Sequence, residues 1–134
     1  MNRLYRNVDG GLVLDGVSAS ELADEYDTPL YVTCENVVRE NYRRLSSALK
    51  RNYDKARILY AAKANTSLSV LTILRSEGAE ADAVSPGEVF LALEAGYKPT
   101  QITFTGRARR HELVRERESF GDLLRGQRIP SWLR

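Results

Sequence analysis

From residue 29 onward the apolar positions fall into short runs separated by longer, periodic stretches. Leu30-Tyr31-Val32-Thr33 is a run of strand length. From Glu35 to about Arg51 the apolar residues Val37, Val38, Tyr42, Leu45 and Leu49 recur every three or four positions with charges between, the period of an amphipathic helix. Ile58 to Ala62 is a second strand-length run, and a helix is predicted from about Leu68 to Ser76 with Gly78 as its stop. Glu80 to Val84 predicts a third strand. Pro86 to Ala95 predicts a helix with proline in its first turn and Gly96 just past its end. Ile102 to Thr105 predicts a fourth strand. The order β-α-β-α-β-α-β, with short loops, marks parallel βα units of a doubly wound sheet or a (β/α)8 barrel, and four strands make half a barrel.

The stretch before residue 29 reads differently. Leu4, Val8, Leu12 and Leu14 alternate loosely around Gly10-Gly11, which predicts a short hairpin or strand pair. Ser18 precedes Glu21 at capping-box spacing and opens a helix to about Tyr26, which Asp27-Thr28-Pro29 breaks. After Gly106 the βα rhythm stops. The charge changes there too. Residues 1–106 carry 8 Arg and 4 Lys against 14 acids, whereas residues 107–134 carry 8 Arg, no Lys and 4 acids. Three parts follow: 1–27, a β segment and helix; 28–106, a partial barrel; and 107–134, an Arg-rich tail of thin apolar content.

With 134 residues the chain has room for one ordinary domain, and 43% hydrophobic with 28% charged residues is a globular balance. No run of about 18 apolar residues is present to span a membrane, and MNRLYRNVDGG lacks a signal-peptide core, so the cytoplasm is the expected location. One cysteine, Cys34, excludes an internal disulfide, and with the single His111 it does not make a common structural zinc site, so no metal is expected. Clustered arginines in the tail suggest phosphate binding, but Glu112, Glu116, Glu118 and Asp122 interrupt them, so neither nucleic acid nor membrane is expected as a partner.

The candidate for chemistry is Lys63, which stands at the carboxyl end of a predicted parallel strand, where active sites of βα folds lie. Small Ala62 and Ala64 flank it and leave room for a planar ligand. A lysine so placed can form a Schiff base with an aldehyde cofactor, and it can equally be a salt-bridged surface residue. Asp82 lies one βα unit further on, where it would reach the Lys63 amine. Ser85 and Glu88 have capping-box spacing, a role that leaves Glu88 free to serve a site as well. Tyr60 reads as core, Asn65 as a cap for the following helix, and Cys34 as a small buried hydrophobe.

The segment Tyr60-Ala61-Ala62-Lys63-Ala64-Asn65 resembles a motif of the ornithine, diaminopimelate and arginine decarboxylases, pyridoxal-phosphate enzymes with an alanine-racemase-like barrel. Asp27-Thr28-Pro29-Leu30-Tyr31-Val32, Arg39-Glu40-Asn41-Tyr42-Arg43, Glu77-Gly78-Ala79, the stretch from Asp82 to Glu88, Ala95-Gly96-Tyr97, and Ile102 to Gly106 continue the likeness in order over residues 1–106. The diaminopimelate branch is the most similar. The resemblance implies the first half of a pyridoxal-phosphate-binding (β/α)8 barrel, with residues 1–15 belonging to a second, β-rich domain. It implies that Lys63 is the catalytic, cofactor-bearing lysine and that Asp82 and Glu88 are acids of the cofactor site. It also implies a small amino-acid substrate, with meso-2,6-diaminopimelate decarboxylated to L-lysine, or a substrate of the ornithine or arginine type. Family chains are about three times longer and work as homodimers. Their cofactor-stacking histidine, glycine-rich phosphate loop and β-domain cysteine lie in parts with no counterpart here. The sudden all-arginine usage after Gly106 resembles a frame shift or truncation. Half a barrel leaves an open sheet edge, so the isolated chain is expected to be unstable or self-associating and inactive, a pyridoxal-phosphate-binding fragment or half of a split enzyme.

Overall fold

A computed structural model describes residues 5–6 and 10–106. Two three-stranded sheets organise them. The first is antiparallel and joins β1 (Tyr5–Arg6), β2 (Leu12–Leu14) and β3 (Val17–Ser18) in that order. Sequence patterning predicts the β1–β2 pair but not β3. The missing signal is Asp15-Gly16, a two-residue turn in which both residues have positive φ, 50° and 90°, as tight hairpins with right-twisted strands require. Helix α1 (Ala19–Tyr26) follows at the predicted place, but Ser18 makes no side-chain cap to it. The Ser18 hydroxyl instead meets that of Ser20 at 2.8 Å, so the expected capping box does not form.

The second sheet is parallel, ordered β4 (Leu59–Ala61), β5 (Glu80–Ala83) and β6 (Ile102–Phe104). Helices α2 (Glu35–Lys50), α3 (Leu68–Ser76) and α4 (Pro86–Glu94) separate and flank these strands. The βα order expected from the sequence therefore holds, with one exception. Residues 30–33 form no strand, and Tyr31 is 99% exposed. An extended segment becomes a strand only by sharing hydrogen bonds, and no described strand lies beside residues 30–33 to share them. The features predicted after Gly106 lie outside the described residues.

Alternation along the strands sorts the parallel sheet into two faces. Tyr60, Ala81 and Ile102 are register partners and turn together toward the helices, as does Ala83. Ala62, Ala81, Ala83, Ala92, Ala95, Leu71, Tyr97 and Ile102 form the buried cluster there, with Ala62, Leu71, Ala81, Ala83 and Ala92 completely enclosed. The seam between sheet and helices is thus built largely of alanine. A second cluster, Val70, Leu74 and Ala79, receives Val38 and Tyr42 from α2. The rest of the apolar stripe on α2 is not covered, since Leu45 and Leu49 stay exposed. On the opposite sheet face the register brings together Ala61, Asp82 and Thr103, and Thr103 is exposed.

Both glycine stops work as their sequence position implies. Past α3, the Ala79 amide donates to the Leu74 carbonyl (3.0 Å) and the Gly78 amide to that of Arg75 (2.9 Å). Past α4, the Tyr97 amide donates to Ala92 (3.0 Å) and the Gly96 amide to Leu93 (2.8 Å). These are two Schellman ends, with Gly78 and Gly96 at φ 96° and 86°, where an L side chain is strained. Each drives an apolar residue, Ala79 or Tyr97, into a core cluster. Burial there pushes the Tyr97 hydroxyl up to about 12, and the group lacks a hydrogen-bond partner among the described residues.

Charges fasten α2 to the layer beneath. Arg43 holds both Glu77 oxygens (2.6 Å each), and Arg39 adds a 2.7 Å bond to Glu77 while pairing with Glu35 on its own helix. The Glu77 side chain is only 9% exposed. The Asp15 carboxylate accepts from the Asn36 amide (3.2 Å) and side chain (2.7 Å), meeting the positive end of α2 where Cys34 offers no cap. Arg43 and Arg39 lower the Glu77 carboxyl below its ordinary 4.5. A lowered carboxylate adds stability above its unfolded value and loses it as pH falls through the lower folded value. Glu77→Gln is therefore expected to lower the unfolding midpoint near neutral pH. The gap to the wild type should close between about pH 7 and about pH 3 in thermal unfolding. A gap of constant size across that range would show that Glu77 acts by packing rather than by charge.

Candidate active site

Lys63 follows β4 directly, at the sheet's carboxyl end, as its place after an apolar run implies. It lies not in the strand but in a single 3-10 turn, Ala62–Ala64. Within this turn Ala62 is fully buried against the helices while Lys63 and Ala64 are exposed. The turn anchors the lysine by its small neighbour and leaves its amine outside the core. Among the described residues the amine has no ion-pair or hydrogen-bond partner.

The residues flanking Lys63 hold the turn's geometry. Tyr60 packs against both core clusters, as expected of a core residue, and its hydroxyl donates to the Asn65 carbonyl (3.3 Å). Burial raises the Tyr60 hydroxyl, and the bond to Asn65 offsets this in part. Asn65 Oδ1 accepts from the Ser67 amide (2.9 Å), a local turn that leads the chain into α3. The expected helix-directed role of Asn65 therefore takes the form of an Asx turn before Ser67, the residue at the N-cap.

Asp82 comes from the neighbouring strand, level with Ala61. It is half-buried, and its partner is not Lys63. Thr105 Oγ1 donates to Asp82 Oδ1 at 2.6 Å. Thr105 is the residue that sequence reasoning misses. A threonine at a strand end carries no motif, and its partner lies 23 positions away.

Ser85 caps α4 as its spacing predicts, while the Glu88 carboxylate reaches back to Val84, one residue before the position a capping box uses. Ser85 Oγ accepts from the Glu88 amide (3.3 Å) and donates to Glu88 Oε1 (3.2 Å), while Glu88 Oε2 accepts from the Val84 amide (3.0 Å). These bonds fix the loop between β5 and α4 at the same end of the sheet as Lys63. Ser85→Ala is expected to cost about 1 kcal/mol of stability, read as a lower urea midpoint with an unchanged slope. An unchanged midpoint would mean that the cap adds nothing net. Cys34 is half-buried at the start of α2, more open than the buried hydrophobe expected from sequence. Among the described residues no three His, Cys, Asp or Glu side chains gather. No helix there is long and apolar enough to cross a membrane.

The arrangement is chemically specific. A primary amine without a partner among the described residues stands on a small-residue turn. An acid with one oxygen engaged lies on the adjacent strand, and a capped helix end completes the rim. This set suits an aldehyde cofactor, which needs a free amine to bond and an acid nearby to govern charge.

Comparison with known proteins agrees. Residues 36–120 match the family described as pyridoxal-dependent decarboxylase, pyridoxal binding domain, so the similarity runs past the change in composition at Gly106. The chain is 53% identical over 100 residues to diaminopimelate decarboxylase of Methanothermobacter thermautotrophicus, covering 75% of this chain and 23% of that one. To the Staphylococcus aureus enzyme of the same name it is 38% identical over 108 residues, covering 80% and 26%. The crystal structure of the M. jannaschii diaminopimelate decarboxylase with L-lysine superposes with a TM-score of 0.76 at 33% identity, over 88% of this chain and 28% of that one. These relatives have partial likeness in length only: the chain spans about a quarter of each. The parallel strands, the helices on one face and the lysine turn are accordingly part of a pyridoxal-phosphate-binding TIM barrel, and the chain belongs to the pyridoxal-dependent decarboxylases, in their pyridoxal-binding domain.

Proposed function

We propose that this chain supplies the cofactor-lysine portion of a diaminopimelate decarboxylase, which releases carbon dioxide from meso-2,6-diaminopimelate to give L-lysine. The observation that carries this reading is the exposed Lys63 at the carboxyl end of a parallel strand, in a chain 53% identical over 100 residues to such an enzyme. The proposed working location is the cytoplasm.

Pyridoxal phosphate, when bound, supplies an electron sink for the pair left behind by carbon dioxide. The rest belongs to the chain. Lys63 Nζ is the attachment point, and the buried Ala62 keeps its turn from swinging. Asp82 brings a negative charge to the amine's end of the sheet and favours the charged form of a neighbouring cation. Glu88 would act by shaping the loop from Val84 to Ser85 at the cofactor's end of the sheet. Residues 28–106 are the barrel portion, and residues 1–27 lead in from the second domain.

The test is to add pyridoxal phosphate to the purified chain, record the visible absorbance, reduce with borohydride and map the adduct by mass spectrometry. A single adduct on Lys63 is expected. Equal labelling of Lys50, Lys55 and Lys98 would overturn the reading.

A further inference from the structure

We propose that Thr105 is a positioning residue for the cofactor site, holding the Asp82 carboxylate in place on the open face of the parallel sheet beside the Lys63 turn. This inference rests on the reading of Lys63 as the cofactor lysine. Three observations carry it. First, the hydroxyl of Thr105 donates to Asp82 Oδ1 at 2.6 Å, a short bond to a charged acceptor. It leaves Oδ2 without a donor among the described residues.

Second, Thr105 is itself fixed. Its amide donates to the Ala83 carbonyl (2.9 Å), extending the β5–β6 ladder one residue past Phe104. The hydroxyl and the amide therefore grip β5 on either side of one peptide, at Asp82 and Ala83. Third, the chain beyond Thr105 is pressed onto the end of β5. A Cβ placed on Gly106 would fall on the Val84 carbonyl, with the ring of Phe104 at 2.8 Å. Only glycine permits that approach, and the approach keeps Thr105 within reach of Asp82.

The chemistry follows from freedom of rotation. An aspartate on an open sheet face samples several rotamers. One short bond to a fixed hydroxyl selects one of them and leaves the second oxygen available to a neighbouring amine. Thr105 touches neither Lys63 nor any reacting atom in this account, so it acts only through Asp82.

The experiment uses the full chain and three substitutions. Thr105→Val keeps the shape and removes the hydroxyl, Thr105→Ser keeps the hydroxyl, and Asp82→Asn neutralises the acid. Attachment of pyridoxal phosphate to Lys63, trapped by borohydride and quantified by mass spectrometry, is expected to slow about tenfold in Thr105→Val. Thr105→Ser should retain the wild-type rate, with far-ultraviolet dichroism alike in all variants. Adding Thr105→Val to Asp82→Asn should change nothing further, because the two act as one unit. A readout free of cofactor is the carboxyl-carbon NMR resonance of Asp82, which should move in Thr105→Val and return in Thr105→Ser. Wild-type attachment in Thr105→Val, or an effect of equal size in the Asp82→Asn background, would overturn the proposal. Failure of the wild-type chain to label Lys63 would count against the Lys63 reading instead, and the Asp82 resonance would then decide the role of Thr105.

Discussion

Lys63→Ala is expected to abolish specific attachment of pyridoxal phosphate to the chain. The loss should be complete, since no neighbouring amine can take over. Lys50 ends α2 and lies among residues such as Ala56, Arg57 and Ile58, toward the amino ends of the strands. Lys98 follows α4 and begins the turn into β6, again on the amino side of the sheet. Attachment therefore depends on one position rather than on lysine content. Lys63 is exposed and has no partner among the described residues, so its removal costs the fold little, and surface substitutions of this kind typically change stability by less than about 0.5 kcal/mol. An unfolding midpoint like that of the wild type, with absorbance and adduct both lost, is the expected pair of results. Persistent adduct in Lys63→Ala would mean that reactivity is general, and the site assignment would fail.

The largest effect on stability is expected from Leu71→Ala. Leu71 is completely buried, and with Tyr97 it is one of the two largest enclosed side chains. It sits in α3 in a cluster of which five of the eight buried members are alanines, which have no reach to fill a vacancy. A cavity that does not collapse costs about 2–5 kcal/mol for such a truncation. Domains of this size hold only about 5–15 kcal/mol in total. Loss of cooperative thermal unfolding near room temperature is the expected outcome. A midpoint within a few degrees of the wild type would show that α3 is not what holds the sheet.

Much of the parallel sheet was legible because its signals are local. The three-residue step from Ser85 to Glu88 carries its own hydrogen bonds, and Gly78 and Gly96 end helices through their own backbone. Lys63 was legible because a strand's end is where its apolar run stops. What escaped notice depends on distant partners. Residues 30–33 have strand composition, yet composition cannot supply a neighbour. Ser18 has the right spacing for a cap, but the Asp15-Gly16 turn and the hydroxyl of Ser20 redirect it. The grip of Glu77 by Arg39 and Arg43 spans 38 and 34 positions, too far for any local pattern to show. The bond from Thr105 to Asp82 is of the same kind, a contact that exists only once two strands lie side by side.

The alanine seam has a consequence for how such a site tolerates change. Ala62, Ala81, Ala83, Ala92 and Ala95 have no rotamers to change, so whatever repacking the seam allows falls to Leu71, Tyr97, Ile102 and the apolar side chains along its edge. Variation in what the site accepts then falls more easily on its loops and strand tips than on this seam.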